Sequence, residues 1–222
     1  MIELAVEGRQ RLLDPEVVVI AGFTGRDERA VRAHVEELAR EGVPAPPRTP
    51  MYYLAPAGLL TQDDRVAVVS PATSGEVELV LFVDGDEAFV GLGSDHTDRA
   101  AERHDIALAK LACRKPVSRS AWPFEAVRDD WDSIRLRSWA SIGSGAEAYQ
   151  DSEAGVNLPP AGLLESVPWR RKPRCFALFT GTVATLGGVR PARRFAASAD
   201  DPSGRPALRL HYDVVVLDDL MS

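Results

Sequence analysis

The chain has 222 residues, 45% of them hydrophobic and 27% charged, with 33 acidic against 26 basic side chains for a net charge of −7. That length can bury a sizeable core in one large domain or two small ones, and the acidic balance excludes a general attraction to nucleic acid or an anionic membrane. Cys113 and Cys175 are far apart and form no CxxC pair, which argues against a structural zinc site or a disulfide framework.

The N-terminus, MIELAVEGRQ, lacks the basic start and apolar core of a secretory signal. The apolar stretch at 17–23 is too short to span a bilayer, so the expectation is a soluble, cytoplasmic protein. Residues 17–21 (VVVIA) are β-branched and apolar and predict a buried strand. A loop follows, ending in Asp27 as N-cap. Over 28–41 the residues Ala30, Val31, Val35, Leu38 and Ala39 recur at helical spacing, and Gly42 is a natural stop. The proline-rich run 42–50 is a linker or connection into a strand at 50–54. Residues 76–83 and 86–93 predict a hairpin closed by Asp84-Gly85. Residues 99–113 have helical spacing. The stretch 122–140, with Trp122, Trp131 and Trp139, mixes a turn with a strand, and the polar 141–155 predicts a loop. A short helix opens near Pro159, and strands close the chain around 175–180 and 207–217.

The hairpin brings acids together. Glu76 and Glu78 are two apart on a strand and share a face, with Cα atoms roughly 6.5–7 Å apart. A two-residue loop at Asp84-Gly85 sets Glu78 opposite Gly91, Glu76 opposite Gly93 and Asp95 opposite Ser74, all on that face. The glycines would leave open space beside the carboxylates. Oxygen-only ligands suit a hard cation: Mg²⁺, Mn²⁺ or Ca²⁺. A solvated sheet face is the plain alternative for a Glu-x-Glu strand.

The ordered set GEVELVLFV (75–83) and SDHTDR (94–99) resembles the fumarylacetoacetate hydrolase superfamily, whose members carry a GEVELAV-like strand and an NDVTARD-like loop. Three further stretches agree in order: His34-Val-Glu-Glu37 with the HxxE dyad, Ala107-Leu-Ala-Lys110 with the lysine segment, and Phe179-Thr-Gly-Thr182 with the TGTPxGVG loop. The SDHTDR wording is most similar to a bacterial branch described as a domain of unknown function. Val183 replaces the loop proline, Ala100 the acid that ends NDVTARD, and Ala55 stands near where a lysine is often found.

The resemblance implies an α+β fold, a mixed β-roll with peripheral helices, as a single domain over 1–222. Residues 1–50 would carry the dyad and 51–222 the metal core. It implies Glu76, Glu78 and Asp95 as ligands of Mg²⁺ or Mn²⁺, with Ca²⁺ a further option. His34, oriented by Glu37, would activate water; Lys110 would face developing negative charge; Arg99, Thr97, Thr180, Gly181 and Thr182 would hold a small carboxylate substrate. The expected enzyme is a homodimer acting on a 2-oxo acid by C–C bond hydrolysis, with hydration, dehydration or decarboxylation as alternatives on the same platform. A non-catalytic metal- or ligand-binding protein of the same fold is the rival from another class. His96, beside Asp95, is a candidate fourth ligand or second base, although neighbours on an extended chain point apart; His104 and His211 carry no assigned role.

Overall fold

The computed structural model describes residues 1–40, 43, 45–142 and 145–220, without the side chains of residues 37, 38, 142 and 220. In chain order the strands and helices begin with β1 (Ile2–Val6), β2 (Arg9–Leu13), β3 (Val17–Gly22) and α1 (Glu28–Arg40). Next come β4 (Met51–Pro56), β5 (Leu60–Thr61), β6 (Arg65–Val68) and β7 (Thr73–Ser74). The central hairpin is β8 (Val77–Asp84) with β9 (Glu87–Ser94), followed by β10 (Thr97–Asp98), α2 (Arg99–Glu102), α3 (Ile106–Leu111) and β11 (Lys115–Pro123). The chain ends through α4 (Phe124–Val127), β12 (Arg135–Ile142), β13 (Gly145–Glu153), α5 (Pro160–Ser166), β14 (Cys175–Phe179), β15 (Arg194–Asp200) and β16 (Leu208–Val216).

A nine-stranded mixed sheet runs β2-β1-β11-β9-β8-β14-β3-β4, with β5 on β11, and a five-stranded sheet runs β13-β12-β15-β16-β6. The fold is therefore α+β. Two cores explain the sequence pattern. One lies between the sheets, holding Val19, Leu79, Leu81 and Leu178 against Leu136, Phe195 and Tyr212. The other lies on the opposite face, where the large sheet rolls so that Leu4 and Val6 share a core with Val18, Ile20, Val80, Phe82 and Phe179. Strands buried on both faces read as continuous apolar runs rather than alternating ones, which is why β3, β8 and β14 stand out in the sequence. The N-terminal strands β1–β3 belong to the same sheet as the central hairpin.

Two local expectations change, and two elements had no expectation at all. The first 13 residues form a hairpin with no counterpart in the sequence reading: Ile2, Leu4 and Val6 face inward. Glu7 and Gly8 turn the chain with φ of 48° and 77°, as a type I′ turn requires. The predicted helix over 99–113 is two helices, because Asp98 caps the first through the N–H groups of Ala100 and Ala101 and Asp105 caps the second through that of Leu108. The predicted loop 141–155 contains strand β13, paired along its length with β12; its polarity is that of an exposed edge, with Tyr149 and Gln150 turned inward. Strand β15, with the small residues Ala196, Ala197 and Ala199, gave no strand signal. Helix α1 forms as expected on the Asp27 cap, while Gly42, its expected stop, lies outside the described residues. No helix among the described residues is long and apolar enough to cross a membrane.

Candidate metal centre

The β8–β9 hairpin turns over Gly85-Asp86, one residue later than the sequence reading, with Asp84 paired to Glu87. Glycine at the first loop position with φ 61° is the arrangement of a type II′ turn. Every pair shifts by two residues, so face parity survives. Glu78 faces Gly93, not Gly91, and Ser74 faces Thr97, not Asp95. Asp95 instead lies at the level of Glu76, its N–H bonded to the Glu76 carbonyl at 3.0 Å. The expected open space beside the glycines is filled. A Cβ on Gly93 would lie 2.5 Å from Val80 Cγ2 and 2.7 Å from Phe179 Cε1, and one on Gly91 would lie 2.7 Å from Phe82. The glycines admit core side chains, not a ligand.

The three carboxylates meet at the open end of this hairpin. Glu76, Glu78 and Asp95 each offer an oxygen within 4.8 Å of the others. Glu78 and Asp95 are buried, at 2% and 0% exposure. Gly181 donates its N–H to Glu78 Oε2 at 2.8 Å. Only glycine fits there: φ is 95°, and a Cβ would fall 1.9 Å from Thr24 Oγ1. Burial, with the negative charge of Asp95 and Glu76 beside it, raises the Glu78 pKa well above the usual carboxylate range, against the pull of Lys110 and the Gly181 N–H.

Cations surround the acids. Lys110 donates to Asp95 Oδ2 and lies 5.8 Å from the Tyr53 ring centroid on β4. Burial opposes the Lys110 charge, but Asp95, Glu76 and Glu78 hold its pKa above the ordinary lysine value. Lys115, unforeseen from sequence, is wholly buried; its Nζ donates to the His96 carbonyl at 2.6 Å and lies 2.8 Å from Asp95 Oδ1. Burial raises the Asp95 pKa, yet the two lysines outweigh it and hold the carboxyl well below its usual range. Arg99 lies 3.0 Å from Glu76 Oε1 and bonds Glu102 at 2.8 Å and Ser74 at 2.7 Å. Asp95 Oδ1, though beside Lys115, accepts no well-aligned hydrogen bond among the described residues. Three carboxylates with oxygens this close together, two of the residues buried, are a donor set that fits a hard divalent cation.

The residues expected at the substrate differ in what they touch. Thr97 is fully buried and its hydroxyl donates to the Asp95 carbonyl at 2.9 Å. Thr180 donates to the Leu79 carbonyl at 3.0 Å. Thr182 donates to the Val77 carbonyl at 2.9 Å and accepts from Gln150 Nε2 at 2.8 Å. These hydroxyls and the Arg99 guanidinium hold the carboxylate-bearing backbone and side chains in place. His34 is exposed on α1, with its ring 6.3 Å from that of Phe23; the side chain of Glu37 lies outside the described residues. His96 is buried with Nδ1 2.9 Å from the Tyr212 hydroxyl. Burial, then Lys115 and Arg99, push its pKa down to about 3, so the imidazole is neutral. Lys115 left no signal in the local sequence pattern.

The architecture is the fold seen in solved fumarylacetoacetate hydrolase family proteins. The chain is similar to a protein from Oleispira antarctica assigned as a fumarylacetoacetate isomerase/hydrolase, at 20% identity over 97% of this chain and 100% of that one, with a TM-score of 0.69. It is similar to fumarylpyruvate hydrolase from Pseudomonas aeruginosa, solved with Mn²⁺ and pyruvate, at 16% identity over 97% and 96% of the two chains with a TM-score of 0.62. It is also similar to 5-carboxymethyl-2-hydroxymuconate delta-isomerase from Mycobacterium smegmatis, at 18% identity over 95% and 84% with a TM-score of 0.59. Within this fold, the chain belongs to the family described as protein of unknown function DUF2848, whose model matches residues 21–212. A search of curated proteins finds no match.

Proposed function

We propose that the protein is a divalent-metal-dependent enzyme that hydrolyses a C–C bond in a small 2-oxo acid of the acylpyruvate type. The observation that carries this reading is the convergence of Glu76, Glu78 and Asp95 within 4.8 Å, with Lys110 on Asp95. The three carboxylates would hold Mn²⁺ or Mg²⁺, which when bound supplies Lewis-acid polarisation of the substrate's oxygens. Lys110, kept protonated by its acidic neighbours, acts through charge rather than as a base, facing the negative charge that develops on the pyruvate half. Gly181 holds Glu78, and Arg99 holds Glu76, in the positions they occupy. His34 with Glu37 is the proposed base, taking a proton from the water that adds to the distal carbonyl. The products are pyruvate and the carboxylic acid of the acyl half, with one water consumed. Support comes from the fold shared with a fumarylpyruvate hydrolase that was solved with Mn²⁺ and pyruvate. Action as a homodimer is part of the same proposal.

The test is pyruvate release from a panel of acylpyruvates by protein reloaded with Mn²⁺ or Mg²⁺ after chelation. The expected result is metal-dependent turnover that Lys110→Met lowers at least about 100-fold, as loss of one electrostatic donor does elsewhere. Turnover that persists in chelator contradicts the proposal.

A further inference from the structure

The hydroxyl of Tyr212 reaches the acidic hairpin from the other sheet. Tyr212 lies on β16 at 1% exposure, with its oxygen 2.9 Å from Ser94 Oγ and 2.9 Å from His96 Nδ1. Ser94 in turn accepts the Glu76 N–H at 3.1 Å, and His96 directly follows Asp95. One hydroxyl is thus bonded to both ends of the hairpin: through Ser94 to the backbone of Glu76, and through the imidazole to the segment of Asp95.

The approach is built into the core. The Tyr212 ring meets His96 edge-on, at 5.5 Å and 82°, and lies 5.5 Å from the Phe195 ring. Gly75 makes the room, since a Cβ there would lie 2.6 Å from the Tyr212 oxygen and 2.6 Å from Phe195 Cδ2. A buried tyrosine usually finds a partner for its hydroxyl. Here it has two, and each belongs to a residue bonded or adjacent to a proposed ligand.

We infer that Tyr212 is a positioning residue for the cation: acting through Ser94 and His96, its hydroxyl braces the bonded Glu76–Asp95 pair from the second sheet and so tunes metal affinity. The inference rests on the metal-centre reading above. Groups that orient a metal's ligands commonly change its affinity by about 10- to 100-fold.

The probe is Mn²⁺ alone, titrated calorimetrically into the full chain after chelation. Tyr212→Phe keeps the ring and removes only the oxygen. Its dissociation constant is expected to rise about tenfold or more, while the metal-free variant keeps the wild-type circular dichroism and a cooperative melt. Ser94→Ala severs one arm and weakens binding less. In the double variant the two losses fall short of their sum, because both act along one path. A purely structural tyrosine would move the melting temperature and leave the affinity alone. Wild-type affinity in both single variants overturns the positioning role; if Tyr212→Phe does not fold, unchanged affinity in Ser94→Ala overturns it. Should wild type itself take up no Mn²⁺, the metal-centre reading fails and this inference fails with it.

Discussion

Glu78 is the residue whose chemistry is most tightly bound to the account. Its pKa in the folded, metal-free protein lies above the unfolded value because burial and the neighbouring carboxylates disfavour its charge. A raised folded pKa contributes stability that is complete below the ordinary carboxylate pKa and lost as pH rises through the raised one. Asp95, with a depressed pKa, has the opposite sign and loses its contribution as pH falls below the ordinary carboxylate range. Thermal melts in chelator should therefore show stability declining on the alkaline side of that range. Glu78→Gln should flatten this decline, and an unchanged slope in the variant contradicts the assignment. Metal binding must also release protons, so Mn²⁺ affinity should rise over the same pH interval. Lys115 gives a second expectation. Removing one partner of a buried ion pair leaves the other charge unpaired, so Lys115→Met should destabilise the protein by about 3–5 kcal/mol in urea unfolding.

At the scale of elements, β13 matters most because it was the strand least visible in the sequence. Its Gln150 is buried. The amide accepts from Val77 N at 3.0 Å and Ser138 Oγ at 2.9 Å, and donates to Thr182 Oγ1 at 2.8 Å and the Val183 carbonyl at 2.6 Å. One side chain thus ties the start of β8 to the Thr180–Gly181–Thr182 loop. Gln150→Leu leaves these groups without partners; at roughly 1–3 kcal/mol for each unsatisfied buried group, a loss of about 3 kcal/mol in unfolding free energy is expected. Gly93→Ala would force a methyl into Val80 and Phe179, an overpacking expected to cost about 1–3 kcal/mol. A variant as stable as wild type in either case would contradict the packing described. The strands β3, β8 and β14 were legible because burial on both faces leaves an unbroken apolar run. The edge strand β13 and the alanine-rich β15 were not, since edge polarity and small side chains erase that signal. The hairpin register failed by two residues because Asp84-Gly85 and Gly85-Asp86 are both acceptable turns, and tertiary contacts such as the Gly85 N–H bond to the Arg174 carbonyl and the close packing at Gly93 accompany the second.

Across the whole molecule, the acids were legible and their environment was not. Glu76, Glu78 and Asp95 belong to one local hairpin, so strand periodicity and a turn are enough to gather them. Lys115 and Tyr212 arrive from β11 and β16, and Gln150 from β13. Lys115 depends on the long-range pairing of β11 with β9, and Tyr212 and Gln150 on how the second sheet packs against the first, neither of which a local pattern records. The central claim is that this gathering of acids is a divalent metal centre. A cation that binds only the folded state must raise the melting temperature. The direct measurement is a thermal melt of the chelated protein with Mg²⁺, Mn²⁺ or Ca²⁺ added back, for wild type and for Glu76→Gln/Glu78→Gln. The account predicts that Mn²⁺ or Mg²⁺ raises the wild-type melting temperature and leaves that of the double variant unmoved. If no ion at millimolar concentration shifts the wild type, the cluster is a self-neutralised set of buried ion pairs, and the metal-enzyme account is wrong.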